Sequence, residues 1–199
     1  MCSMRPLIAA LLFALAEPAQ AQSGPVGARI AAAAVEQTTR PGVYDPAYAR
    51  IPYPMGDVPA DRGVCADVVI RALRAAGIDL QERVHDDMKA DFSAYPKHWG
   101  LARPDPNIDH RRVPNLETYF RRTGWRLPAS ANAADYQPGD IVAWNLKGDK
   151  GWLPHIGVVS DRRGRSGRPL IVHNIGAGPK LEDVLFDWTI TGRFRPQAD

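Results

Sequence analysis

The sequence predicts an α+β domain, and three observations predict it. Helical patterning runs from Val26 to Arg122, and strand patterning begins only at Asp140. Such segregation suits an antiparallel sheet with helices against it. The most regular helical face in the chain opens at a cysteine, Cys65. The later runs are short and bounded by Gly, Pro or Asp, as strands of a sheet are.

The N-terminus is read apart from the domain. Met1 to Pro6 carry one positive charge, at Arg5, and Leu7 to Ala16 form an apolar run too short to span a bilayer. Ala19-Gln20-Ala21 then places small residues at the two positions a signal peptidase reads. The expectation is a signal peptide over residues 1–21, cleaved after Ala21, and a single domain over residues 22–199 that is periplasmic or secreted. An uncleaved anchor is the alternative, which the short run disfavours. Cys2 falls within the leader, so the exported chain keeps Cys65 as its one cysteine. No later stretch is apolar enough for a membrane span, so no stable membrane insertion is expected after cleavage.

Val26 to Gln37 reads as a helix with Ile30, Ala33, Ala34 and Gln37 along one side, favoured by its alanines and stopped by Arg40-Pro41-Gly42. Tyr44 to Pro59, rich in Pro and Tyr, reads as an irregular lead-in. Cys65, Val68, Val69, Ala72, Leu73 and Ala76 then recur at the spacing of a buried helical face. Asp61 is its expected N-cap, Gly77 its stop, and Asp67 and Arg71 its expected ion pair across one turn. Asp79 to Asp91 reads as a further helix, Phe92 to Pro114 as irregular chain, and Asn115 as the cap of a short helix ended by Gly124. The expected strands are Asp140 to Leu146, His155 to Asp161, Leu170 to Ile175 and Val184 to Thr191.

Charge narrows the partners. The net charge of +3 is unchanged by loss of the leader, which removes one Arg and one Glu, and the basic residues are dispersed. The densest run, Arg162 to Arg168, is broken by Gly and Ser and lacks interleaved aromatics. It reads as a mobile turn rather than a nucleic-acid patch, and no nucleic-acid partner is expected.

A lone thiol at a helix start is a candidate nucleophile, because the helix dipole favours thiolate and a neighbouring imidazole can take the proton. His155 opens the apolar strand His155-Ile156-Gly157-Val158-Val159, and His173 ends the next, Leu170 to Asn174. The strand period of two puts His173 and Asn174 on opposite faces, so at most one of them should reach His155, as an orienting third residue. His85, Asp86, Asp87, His98, Asp109 and His110 match no zinc spacing, so no metal is expected. No phosphate-binding or dinucleotide glycine motif occurs, and no cofactor is expected. The segment Asp105 to Asn115 reads as a polar loop pinned by its own hydrogen bonds, forming a cleft wall. Trp99 and Trp144 read as core or cleft packing.

The stretches Tyr53-Pro54-Met55-Gly56-Asp57-Val58-Pro59, Gly63-Val64-Cys65, Pro138-Gly139-Asp140-Ile141-Val142, His155-Ile156-Gly157-Val158-Val159 and Ile171-Val172-His173 resemble the NlpC-type papain-like cysteine peptidases. More closely, Gly63 to Arg71, Asp105 to Leu116 and His173-Asn174-Ile175-Gly176 resemble the YijF-like family of exported bacterial proteins, a domain of unknown function within that superfamily. The resemblance implies a papain-like NlpC-type fold, with an antiparallel sheet packed on the helix that carries the cysteine at its N-terminus. It implies Cys65 as nucleophile, His155 as base, His173 as third residue with Asn174 as the alternative, and Tyr53 beside the active site. The Cys65 N–H would be an oxyanion donor. The chain departs from the peptidase pattern Asp-Cys-Ser-Gly, having Val64-Cys65-Ala66-Asp67, and adds a long segment between helix and sheet. The implied function is an envelope cysteine amide hydrolase acting on peptide or amide bonds of peptidoglycan. The alternatives are a non-catalytic envelope module that binds wall fragments or a partner protein, and a thiol-dependent acyltransferase.

Overall fold

The structure is a computed structural model that describes residues 25–197; the expected signal peptide lies outside the described residues. Four helices and eight strands follow in the order α1 (Val26–Gln37), β1 (Val43–Tyr44), β2 (Arg62–Gly63), α2 (Cys65–Ala75), α3 (Leu80–Ala90), α4 (Val113–Arg122), β3 (Arg126–Leu127), β4 (Ile141–Asn145), β5 (Pro154–Arg163), β6 (Pro169–Asn174), β7 (Pro179–Glu182) and β8 (Thr189–Phe194). The last six strands form one antiparallel sheet in the order β3-β8-β4-β5-β6-β7. The α+β class and the packing of the sheet on the cysteine-bearing helix are as the sequence predicts.

The sheet separates two apolar cores. Ile141, Ala143, Ile156, Val158, Val172 and Phe194 pack with α1, α2 and α4, including Ile30, Val68, Val69, Leu73, Leu116 and Phe120. Val142, Trp144, Val159 and Ile171 project the other way, against Tyr136, Leu185 and the partly buried Trp188. Trp144, fully buried, donates its indole N–H to the Leu185 carbonyl at 3.0 Å. Alternation along each strand thus buries both faces near the site.

Several local expectations are corrected. The buried face of α1 is Ile30, Ala31, Ala34 and Val35, rotated from the one expected. Helix α2 is not capped by Asp61: the Asp67 carboxylate in its first turn accepts the Val64 N–H at 2.6 Å. Nor does Asp67 pair with Arg71, whose guanidinium serves Asp57 and the carbonyls of Val58, Pro59 and Arg62. At the far end the Ile78 N–H closes on the Leu73 carbonyl across Gly77, whose φ of +87° suits glycine. Asn115 lies inside α4, its amide donating to the Asp109 carbonyl, and the helix opens at Val113 with Pro114 in the first turn. The expected strand Val184–Thr191 is replaced by β7 and β8 on either side of a turn anchored by buried Leu185. The basic turn is tied down rather than free, since Asp183 accepts from the Ser166 hydroxyl and N–H.

Candidate active site

Three short devices fix Cys65. It is the first residue of α2, so its N–H belongs to the helical turn whose donors are unpaired. Asp67 holds the turn from within and is clamped by Arg111, with Arg111 Nε at 2.8 Å from Oδ1 and Nη2 at 2.9 Å from Oδ2; both side chains are at most 3% exposed. Gly63 makes room for this cap, because a Cβ there would lie 2.8 Å from Asp67 Oδ2. From the sheet, the Asn174 amide donates to the Gly63 carbonyl at 3.0 Å.

The sulfur meets β5. The β5–β6 pairing nearest the site is Val158 with Val172, and beyond it the Ile156 N–H donates to the Cys65 sulfur. Cys65 is therefore held one residue along the strand from His155. Cys65 is a free, buried thiol. Burial pushes it up to about 11, aided by the Asp67 charge and opposed by N–H groups of Ile156, Ala66 and Cys65 itself. The thiolate-favouring effect of the helix start, expected from sequence, is outweighed by loss of solvation.

The two histidines lie on the face of the sheet that carries Trp144, opposite the face on which Cys65 and α2 pack, and among the described residues no hydrogen bond joins the Cys65 sulfur to either ring. His155 Nε2 is 2.9 Å from His173 Nδ1, with both residues at most 3% exposed. Asn174 points to the other face, as alternation requires, and serves Gly63 instead. Gly157 permits the approach of the strands: a Cβ there would sit 2.8 Å from Ile171 Cγ2 and 3.1 Å from His173 Cβ. The Trp188 ring packs edge-on against both imidazoles, its centroid 5.9 Å from each. Burial, and then the neighbouring His173, push His155 down to about 3; burial also lowers His173, against the opposing pull of Glu182. At neutral pH the trio is a neutral thiol and two neutral imidazoles. His173 Nε2 lies 2.9 Å from Glu182 Oε2, close but off the line of a well-directed N–H bond.

The tyrosine at the sulfur is Tyr44, not Tyr53. Strand β1 pairs parallel with β2, setting Tyr44 opposite Gly63, and its hydroxyl hydrogen-bonds the Cys65 sulfur. Burial, with the Cys65 and Asp67 charges, pushes the Tyr44 phenol up to about 12. Tyr53 stands elsewhere, its hydroxyl 3.3 Å from Asp86 Oδ1 and its ring edge-on to His85. Sequence reading missed Tyr44 and Glu182; Tyr44 is the first of three tyrosines in the same lead-in, before Tyr48 and Tyr53.

A cleft of about 300 Å³ opens beside the thiol, lined by Tyr44, Cys65, Trp99, Arg111, Arg112 and Trp152 among others. The inserted segment forms one wall, as expected from its polarity. Asp109 accepts from the Asp105 N–H and from Arg112, while Asp105 and Asn107 bond each other and Tyr48. The Arg112 guanidinium lies 4.1 Å from the Trp99 ring centroid, and His98 sits between Trp99 and Trp152. Trp99 thus faces the cleft, whereas Trp144 is core. Among the described residues no three His, Cys, Asp or Glu side chains gather as metal ligands. No helix among them is long and apolar enough to cross a membrane.

Comparison with known proteins agrees with this architecture. The chain is similar to a structure described as NlpC1 from Trichomonas vaginalis, with a TM-score of 0.50, 14% identity, 90% of this chain covered and 47% of that one. This chain therefore spans about half of that protein, and the likeness supports a papain-like NlpC fold. It is 60% identical over 152 residues to the uncharacterized protein YijF of Escherichia coli strain K12, covering 76% of this chain and 73% of that protein. The model of the Domain of unknown function family DUF1287 matches residues 31–196. With its fold, its cysteine-bearing helix and its relatives in agreement, the chain belongs to the DUF1287 family and has a papain-like NlpC-type fold.

Proposed function

We propose that this protein is an exported cysteine hydrolase that cleaves peptide or amide bonds of peptidoglycan. The observation that carries the reading is Cys65 at a helix start, lining an open cleft and taking a hydrogen bond from the N–H of Ile156, the residue after His155 in β5. The His155–His173 pair lies on the opposite face of the sheet, and the mechanism requires the His155 ring to reach the sulfur. With its Nε2 engaged by His173, His155 has Nδ1 left, and brought within reach of the sulfur it would take the thiol proton. The sulfur then attacks the substrate carbonyl, and the Cys65 N–H and the Tyr44 hydroxyl receive the developing oxyanion. The protonated His155 gives its proton to the leaving amine, and water releases the acyl group by the same base. Because the resting thiol and imidazole are both neutral, the proton moves as the carbonyl is engaged rather than beforehand. An amine in place of that water would make the same residues an acyltransferase.

Incubation with purified muropeptides, read by mass spectrometry, tests the reading. Cleavage by the protein and none by Cys65→Ser supports it; an unchanged muropeptide pool argues for the second reading, a non-catalytic envelope module. Burial of the thiol favours that second reading, since a structural cysteine is also buried and protonated. Export is tested by intact mass: a chain beginning at Gln22 supports it, and a mass retaining residues 1–21 rejects it.

A further inference from the structure

We propose that Glu182 sets the tautomers of both histidines, so that His155 carries its proton on Nε2 and keeps a bare Nδ1. The inference rests on the reading of Cys65 and His155 as nucleophile and base, and makes Glu182 a positioning residue for that pair.

In the β6–β7 register Ile171 faces Glu182 and His173 faces Lys180, and the pleat brings Glu182 diagonally under His173. Its Oε2 is 2.9 Å from His173 Nε2. A carboxylate accepts and cannot donate, so a neutral His173 facing it carries its proton on Nε2. His173 Nδ1 is then an acceptor, and the 2.9 Å contact with His155 Nε2 needs a donor. That donor is the His155 Nε2–H, which leaves His155 Nδ1 without a proton. Only this tautomer leaves His155 a free nitrogen able to accept a proton. Were His173 protonated on Nδ1 instead, His155 would hold its proton on Nδ1 and could not act as base. The Trp188 edge against both rings prevents a ring turn from undoing the order. Lys180, the other charge facing His173, opposes protonation of the ring without offering an acceptor.

The experiment reads the protons directly. The protein is labelled with ¹⁵N-histidine, and its ring nitrogens are followed by NMR at neutral pH in the unmodified chain, Glu182→Gln and Glu182→Ala. The expected result is Nε2–H on His155 and His173 in the unmodified chain and in Glu182→Gln, whose amide oxygen still accepts. In Glu182→Ala the His155 signals shift toward the Nδ1–H form. Circular dichroism controls for folding, and the half-exposed Glu182 side chain makes both variants mild. Nδ1–H on His155 in the unmodified chain, or an unchanged pattern in Glu182→Ala, overturns the inference. Turnover separates it from the hydrolase reading. A tautomer shift in a protein that cleaves nothing upholds Glu182 and rejects the hydrolase. In an active enzyme, Glu182→Ala lowers kcat and leaves KM unchanged; a KM effect alone overturns the positioning role.

Discussion

Replacing Asp67 with Asn should cost the domain a large share of its stability. Asp67 does two jobs with two oxygens: it holds Arg111 in a bidentate pair and accepts the Val64 N–H at 2.6 Å. Arg111 is buried, and its other acceptor, the Ala47 carbonyl, is distant at 3.4 Å. An Asn there turns one acceptor into a donor facing a guanidinium and strips the buried cation of its counter-charge. Breaking a buried pair in this way costs about 3–5 kcal/mol. With a urea slope of about 2 kcal/mol per molar, the midpoint should fall by about 1.5–2.5 M. Urea titration followed by tryptophan fluorescence measures it. Asp67→Leu combined with Arg111→Met should lose less than either single change, because an apolar pair replaces an ionic one nearly neutrally. What remains is the orphaned Val64 N–H, worth about 1–3 kcal/mol. A midpoint for Asp67→Asn within about 0.3 M of the unmodified chain, or single losses that simply add, would refute the reasoning.

Three further outcomes follow from the site. Cys65→Ser and His155→Ala should each abolish turnover while the far-UV spectrum is kept, and the double variant should be no worse than either; His173→Ala should lose less, and an active Cys65→Ser would mean a different nucleophile. Iodoacetamide should alkylate Cys65 at neutral pH more slowly than a free thiol, with roughly 300-fold less thiolate for a group held near 11 instead of 8.5, and the rate should climb toward pH 11; a plateau below pH 7 would reveal a preformed thiolate–imidazolium pair instead. Burial holds His110 near 4 and His155 near 3, so between about pH 6.5 and 4 the unfolded chain binds protons that the folded one refuses. Stability should therefore fall as pH drops through that window, by up to about 1.4 kcal/mol per pH unit for each histidine, and His110→Gln should flatten the fall; midpoints that do not move between pH 6.5 and 5 would contradict it.

Periodicity made most of this architecture legible. Helix α2 shows its buried face every three to four residues, and the period of two separates His173 from Asn174. What escaped lacked a period. Tyr44 lies in a two-residue strand within an irregular lead-in, where nothing in the pattern distinguishes it from Tyr53. Asp67 has a nearby basic residue, Arg71, at helical spacing, but its partner is 44 positions away in the inserted segment. Glu182 was hidden because Val184 to Thr191 alternates well enough to read as one strand. Burial of Leu185 and the Trp188 contact with both histidines instead bend that stretch into a turn.

The bond from Asn174 to the Gly63 carbonyl joins residues 111 positions apart, and it has a consequence for the order of assembly. A partly synthesised chain that has made α2 carries the thiol but neither imidazole. Even with β5 complete, His155 has no partner until β6 closes beside it and Asn174 reaches back to the loop before Cys65. Contacts so distant in sequence form late, since the chain entropy of closing the intervening loop must be overcome first. In the proposed hydrolase the nucleophile would therefore acquire its base only when the two ends of the domain have met, and reactive chemistry would arrive together with the finished fold.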